Sequence, residues 1–463
     1  MKDTIIIGAG IAGLSAGFEL HKNNSDFQIL ETSHRAGGVI STQKINDFLI
    51  EAGPHTFSSL NEDIFDLVKE LEIEDLLLES NPESKKRYVY LNNKLTPVPS
   101  GPIELFKSDV LSKDGKMTLL EEFFIKKEEQ EESIEDFFTR RFGREVLKNF
   151  IQPFLNGVYA GDVKKLSANA VFPRLKDLEG KFNSIILGVL LSQDFRRAFK
   201  KLKMYSFRHG METITDAMYE RLKSKVTLSA KDIEITKAKD FFIVNFKSNN
   251  KSISYTTNSV LFAIPAHKMT DYGYIIPNNH LSDFTGIEYM PVATINQATD
   301  KTNLKKELDG FGFLCTKEPH RKLLGTIWTS SIFPDRAPEN KVLLTSYTGG
   351  AYYKRVMDQP EEEIKNLTAK EVAEILGISD PGLIETINMK VNQFAIPQYN
   401  MGHLEKVRRI EELMDKNHGL FFTGNYLHGI SVNDTIKTSK SVVKKINEFL
   451  NTTVKKQEIL VTK

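Results

Sequence analysis

The sequence predicts a multidomain protein of α/β and α+β character, with one α/β domain assembled from both ends of the chain. Three observations carry this. An apolar strand, Thr4-Ile5-Ile6-Ile7, runs directly into the glycine-rich turn Gly8-Ala9-Gly10-Ile11-Ala12-Gly13. The segment from Gly419 to Leu450 again reads strand, turn and helix. Between these ends the chain changes character several times, which reads as inserted domains. Its 463 residues suffice for two or three domains at about 150 residues each.

In order, the opening is a βαβ unit: strand, glycine-rich turn, helix, then the strand Phe27-Gln28-Ile29-Leu30. Residues 100–162 are rich in helix formers and charge. Within them the run Lys126-Lys127-Glu128-Glu129-Gln130-Glu131-Glu132 reads as a solvated helix end or linker. Residues 225–265 switch to short strands, including Val226-Thr227-Leu228, Phe242-Ile243-Val244-Asn245-Phe246 and Ser259-Val260-Leu261-Phe262-Ala263. Residues 266–400 mix strands with a helix around Glu361 to Leu376. No internal repeat or low-complexity tract interrupts the pattern.

Composition is that of an ordinary soluble globular protein, 40% hydrophobic and 27% charged. A net charge of +1 gives no general attraction to nucleic acid or anionic lipid. The single cysteine, Cys315, excludes an intrachain disulfide framework and a cysteine-rich metal site, and no metal is expected. No apolar run reaches the roughly 18 residues of a membrane span, and Ile185 to Leu191 is core-sized. A strand beginning at Thr4 leaves no room for a signal peptide. These features suggest a cytoplasmic protein. Peripheral membrane contact, through an apolar face on helices in 101–162, and a homodimer both stay open.

The first turn carries the strongest chemistry. Gly8, Gly10 and Gly13 serve a tight turn, close backbone approach to a pyrophosphate, and packing of helix on strand. The helix that begins at Ile11 and Ala12 offers free N–H groups and a positive dipole end to phosphates. Glu31, at the end of the next strand, can accept both ribose hydroxyls and would repel a 2′-phosphate. Strand, turn, helix, strand and acid together make a Rossmann-like dinucleotide site.

The stretch Glu31-Thr32-Ser33-His34-Arg35-Ala36-Gly37-Gly38 resembles the second FAD signature of the flavin amine oxidase superfamily. The resemblance implies that Gly37 and Gly38 pass close to the pyrophosphate, that Arg35 contacts it, and that Thr32 belongs to the site. Glu51-Ala52-Gly53-Pro54-His55 resembles the next family segment, so Gly53, Pro54 and His55 are expected near the flavin. Gly424-Asn425 through Gly429-Ile430-Ser431-Val432-Asn433-Asp434 resembles the C-terminal motif, which aims a helix N-terminus at the flavin. Gly424, Ser431, Val432 and Asn433 are its candidate contacts; as an ordinary helix start, it would be capped by Asn433 or Asp434. Most related flavoproteins carry Gly-Asp where this chain has Gly424-Asn425, so no acidic ribitol contact is assumed. Cys315 lies far from the motif, so the FAD is expected to be non-covalent.

Several middle strings narrow the resemblance to the protoporphyrinogen oxidase family. They are Arg140-Arg141-Phe142-Gly143-Arg144-Glu145-Val146, Pro153 to Asp162 with Gly157-Val158-Tyr159-Ala160-Gly161-Asp162, Gly325-Thr326-Ile327-Trp328, and Ile396-Pro397-Gln398-Tyr399-Asn400-Met401-Gly402-His403. Gly402-His403 also reads as a helix start with a solvated histidine. The resemblance runs from Thr4 to about Leu450. It implies an FAD domain from residues 1–79, 205–265 and 396–463, a mixed-sheet substrate domain from 80–100, 163–204 and 266–395, and a helical domain at 101–162. It implies hydride removal from a methylene bridge of a porphyrinogen, with FAD as acceptor and molecular oxygen as final oxidant, late in haem synthesis. No strong protein base is needed, since a pyrrole N–H can shed the proton; the lack of a Ser/His/Asp set is consistent with this. Arg87 matches a position that pairs with a propionate, Phe311 one that packs on the macrocycle, and Ala160 and Gly161 a segment lining the slot. Protoporphyrinogen IX is the favoured substrate and coproporphyrinogen III the alternative. Another flavin oxidase acting on an amine or polyene, or a non-catalytic flavin and porphyrin carrier, are the competing readings.

Overall fold

The computed structural model describes residues 1–461 apart from 100, 109, 194, 196, 198–201, 319, 417 and 418. The first strand, Lys2–Ile7, is buried from Thr4 onward. It lies between parallel neighbours, Phe27–Leu30 on one side and the long strand Lys251–Phe262 on the other. A strand covered on both faces carries no alternation, which is why Thr4 to Ile7 reads as a continuous apolar run. The full sheet runs Val226–Thr227, Phe27–Leu30, Lys2–Ile7, Lys251–Phe262, Phe242–Ser248, Lys231–Lys237, and Leu420–Phe422 also pairs with Lys251–Phe262. The last strand is parallel to its neighbour at Val260 to Phe262, so the sheet joins the two ends of the chain. Helix Ile11–Lys22 packs against the C-terminal helix Val432–Val461 and against Glu212–Leu222. Its buried Ala12, Gly13, Ala16 and Gly17 keep these elements close.

A second seven-stranded sheet runs Glu385–Pro397, Tyr289–Asp300, Lys341–Gly349, Leu323–Ile327, Gly310–Cys315, Lys86–Leu91, Lys94–Pro97. All its pairings are antiparallel except that of Gly310–Cys315 with Lys86–Leu91. Helix Glu361–Leu376 packs on it, and Cys315, Phe313 and Trp328 belong to the apolar core between them. The chain is therefore α/β in one sheet and α+β in the other, as expected.

A helical region occupies the insertion, Lys113–Glu121, Ile134–Val146 and Gln152–Val158, and continues beyond it through Pro173–Phe182 and Ile185–Leu191. The charged run between its first two helices is half of what its composition suggests. Glu128 and Glu129 are exposed in non-helical chain, as a solvated linker would be. Glu131 is not free: it accepts from the Ser167 hydroxyl at 2.6 Å and from Gly402 N at 2.9 Å. Glu132 pairs with Arg140 and Lys176. Partners far along the chain convert the end of the run into an anchor. Among the described residues, no helix is long and apolar enough to cross a membrane.

Candidate cofactor and substrate site

The first turn is shaped by backbone geometry. Gly8 donates to Leu30 O at 2.8 Å and has φ +103°; a Cβ there would lie 2.7 Å from Ala263 O. At Gly13, a Cβ would lie 1.9 Å from Gly8 O, so only glycine lets the helix sit on the turn. Gly10 caps the helix without a side-chain bond, which leaves the first N–H groups free. The two glycine turns touch: Gly10 bridges to Gly37, and Gly37 N donates to Ala9 O at 2.8 Å.

Glu31 is buried at the end of the second strand. Its Oε2 accepts from Ala9 N at 2.7 Å and its Oε1 from Ser33 N at 2.8 Å. The carboxylate therefore braces both turns while its residue lines the cavity. Arg35 points into the second turn rather than into the cavity. Its guanidinium donates to Gly38 O at 2.6 Å and to Ala36 O at 2.9 Å, and pairs with Glu212 at 3.2 Å. Gly53 and Pro54 line the cavity. His55 stands behind that wall, with Nε2 3.2 Å from the Thr345 hydroxyl and Nδ1 3.0 Å from the Tyr347 hydroxyl. Burial pushes its imidazole down to about 4, so it is neutral at ordinary pH. Nearby Glu51 is pushed up to about 7 by burial, against donors from Thr42 and Met211.

At the C-terminal motif, Gly424, Ser431, Val432 and Asn433 all line the same cavity. The cap is Ser431, not Asn433 or Asp434: its hydroxyl accepts from Asp434 N at 3.1 Å and donates to Asp434 Oδ2 at 2.6 Å. Asn433 instead donates to Ser58 O at 2.7 Å. His403 begins a helix, as read, but is buried rather than solvated. Its ring stacks on Tyr399 at 4.0 Å, and burial pushes it down to about 4.

These segments enclose one cavity of about 850 Å³. At one end it is walled by Gly8, Gly10, Ile11, Ala12, Glu31, Thr32, Gly37 and Gly38. At the other it is walled by the second sheet, through Val292, Thr294, Leu324, Tyr347, Asn392 and Phe394. Gly157, Val158 and Ala160 close a side. Gly161 does not reach it and packs under Gln398 and Leu166. Arg87 and Phe311 do not line it either. They meet each other, the guanidinium 5.3 Å from the ring, on strands one and two places beyond Leu324. Sequence reading missed the sheet-borne wall, including Thr294, Tyr347 and Lys390, and also Lys268 on the helical turn Ala266–Tyr272. The register shows why: Lys390, Thr294 and Tyr347 align across three strands that lie far apart in the chain. Only the alternation within each strand hinted at a common face.

Residues 11–447 match the flavin containing amine oxidoreductases. The chain belongs to that family. This oxidoreductase is 30% identical to the chloroplastic protoporphyrinogen oxidase of Oryza sativa subsp. japonica, covering 97% of this chain and 88% of the relative. It is 27% identical to the coproporphyrinogen III oxidase of Bacillus subtilis (strain 168), covering 96% and 97%. In fold it resembles a solved protein from Exiguobacterium sp. 255-15, with a TM-score of 0.80 at 20% identity over 96% and 98% of the two chains. It also resembles reduced UDP-galactopyranose mutase, with a TM-score of 0.72 at 14% identity over 97% and 94%.

FAD is the cofactor of this flavoenzyme, and the cavity fits it. The uncapped helix at Gly10 suits a pyrophosphate. Asn433 Oδ1 and Asn156 Oδ1 are buried acceptors without partners among the described residues, and both residues line the cavity. Such atoms call for a donor from a bound group.

Proposed function

We propose that this flavoenzyme oxidises a porphyrinogen, protoporphyrinogen IX in preference, with oxygen as electron acceptor, late in haem synthesis. The observation that carries the reading is the single cavity that runs from glycine turns to an apolar sheet wall. A flat apolar macrocycle needs such a wall beside the cofactor. The names of the relatives supply the substrate class.

Hydride acceptance is the chemistry that bound FAD supplies. The chain's residues would hold and orient. The turns Gly8 to Gly13 and Gly37-Gly38 would receive the pyrophosphate, with Glu31 and Thr32 at the ribose. Gly53, Pro54, Gly424, Ser431, Val432 and Asn433 would face the ring system. Arg35 and His55 would act behind them, holding the turn and the wall. Cys315, buried in the second sheet's core away from the lining, supports non-covalent attachment. Arg87 has no ion-pair partner among the described residues and is exposed, so a propionate could pair with it over the Phe311 ring. We assign the domains as residues 1–79, 205–265 and 396–463 for cofactor, 80–100, 163–204 and 266–395 for substrate, with 101–162 helical.

Coproporphyrinogen III is the second reading, and Lys268 and Lys390 favour it. Both line the cavity with no ion-pair partner among the described residues. Extra cations suit four propionates better than two vinyl groups, which prefer apolar walls. Parallel assays with both porphyrinogens decide: protoporphyrinogen IX should give the larger kcat/KM. A larger value for coproporphyrinogen III reverses the preference, and no turnover of either above autoxidation removes the reading.

Peripheral membrane contact is supported by apolar side chains on the helical region. Phe124 is 88% exposed and Ile103 64%, with Met117, Leu120 and Phe123 also exposed. Holoenzyme should pellet with phosphatidylcholine vesicles, and Phe123→Asp with Phe124→Asp should release it. Holoenzyme that stays in the supernatant and runs at twice its mass would make the patch a homodimer contact instead.

A further inference from the structure

One string remains without a role in this account, Ile396 to His403. Strand Glu385–Pro397 leaves the second sheet at its end, and the next residues cross to the cofactor side. Gln398 donates through Nε2 to Tyr159 O at 2.8 Å, in the segment whose Gly157, Val158 and Ala160 line the cavity. Tyr399, buried beside it, reaches the other way. Its hydroxyl donates to Asn425 O at 2.7 Å and accepts from Gly429 N at 2.7 Å. His403 stacks on the Tyr399 ring with an interplanar angle of 13° and faces the backbone of Leu427. The loop so held has cavity-lining residues at both ends: Gly424 and Asn425 before it, Ile430 to Asn433 after it.

From this geometry we infer that Tyr399 is a positioning residue whose hydroxyl sets the N-terminus of helix Val432–Val461 against the bound cofactor and thereby tunes its reduction. Val432 and Asn433 occupy the first helical positions, where backbone N–H groups have no intrahelical partner. Such groups stabilise negative charge, and a reduced flavin carries more of it than an oxidised one. The effect falls off within one turn, so it depends on how firmly the preceding loop is placed. Two hydrogen bonds to one buried hydroxyl place it. Removing the oxygen takes the partner from a half-buried carbonyl and a half-buried N–H at once, and releases the loop to shift. This inference depends on the cofactor and not on which substrate is oxidised.

Tyr399→Phe keeps the ring and its stack on His403, and removes only the hydroxyl. The variant should bind FAD, and its equilibrium constant for two-electron reduction, read by dye equilibration without porphyrinogen, should fall about tenfold. For two electrons that is a midpoint about 30 mV more negative. Gln398→Met serves as the control: it should lower thermal stability while leaving the reduction constant at the wild-type value. A Tyr399→Phe protein that loses thermal stability but keeps the wild-type constant overturns the inference and makes Tyr399 structural only. Should Tyr399→Phe yield no folded holoenzyme, His403→Gln is read in the same way: a fall in the constant supports the inference, and an unchanged constant overturns it.

Discussion

Glu31 is shared between the protein and its cofactor. Two of its lone pairs are already committed to Ala9 N and Ser33 N, so the carboxylate fixes the phosphate turn before any ribose arrives. Glu31→Ala should weaken FAD binding by roughly 1.5–3 kcal/mol, because it removes a charged acceptor and frees two backbone donors. Titrating apoprotein with FAD measures this, and Glu31→Gln, which keeps one acceptor, should fall between. Equal affinity in wild type and Glu31→Ala would mean that the ribose is held by something else. The acid itself was legible in the sequence, because its place at a strand end beside a glycine turn is dictated by local chain geometry. Arg35 was legible only as a type of residue. Its partners include Glu212, which no local pattern connects to it. His55 and Tyr347 likewise meet through a contact that spans most of the chain.

Helix Ile134–Val146 carries a charge into the middle of the helical region. Arg141 is fully buried, as are Glu122 and Glu179. Its Nε donates to Glu179 at 2.8 Å, and Nη1 donates to Glu122 at 3.2 Å and to Ile125 O and Asn183 O. Burial alone would raise Glu179, but bonds from Lys176, Arg140 and Arg141 hold it down to about 2. Ser184 also donates to Glu122 at the start of helix Ile185–Leu191. One guanidinium thus ties three helical segments. Arg141→Met leaves two carboxylates buried without it, and should destabilise this region by about 3–5 kcal/mol. Hydrogen exchange should quicken across residues 113–191 while FAD stays bound. Unchanged exchange there would show that the cluster is dispensable. From sequence, Arg140-Arg141 stands only as part of a string that carries the family resemblance. That one arginine lies at the centre of a buried network follows only from packing three helices together.

The two sheets differ in how far sequence could describe them. The parallel part of the first sheet was foreseen from its ends, because glycine turns and apolar runs are local signals. The order of the second sheet was not, since Lys86–Leu91 pairs with Gly310–Cys315 and Tyr289–Asp300 lies between Lys341–Gly349 and Glu385–Pro397. The cavity sits where the two sheets face each other, so its far wall stayed hidden for the same reason. The sheet that joins both ends of the chain also has a bearing on biogenesis. Lys2–Ile7 leaves the ribosome with no lasting neighbour on one side until Lys251–Phe262 follows, and that strand then waits for Leu420–Phe422. Gly8 and Asn433 must both be in place before the cavity exists. Flavin can therefore be captured only by a polypeptide whose translation has passed Asn433, and a nascent or clipped chain lacking that stretch stays colourless. Yellow colour then marks a polypeptide that extends past Asn433.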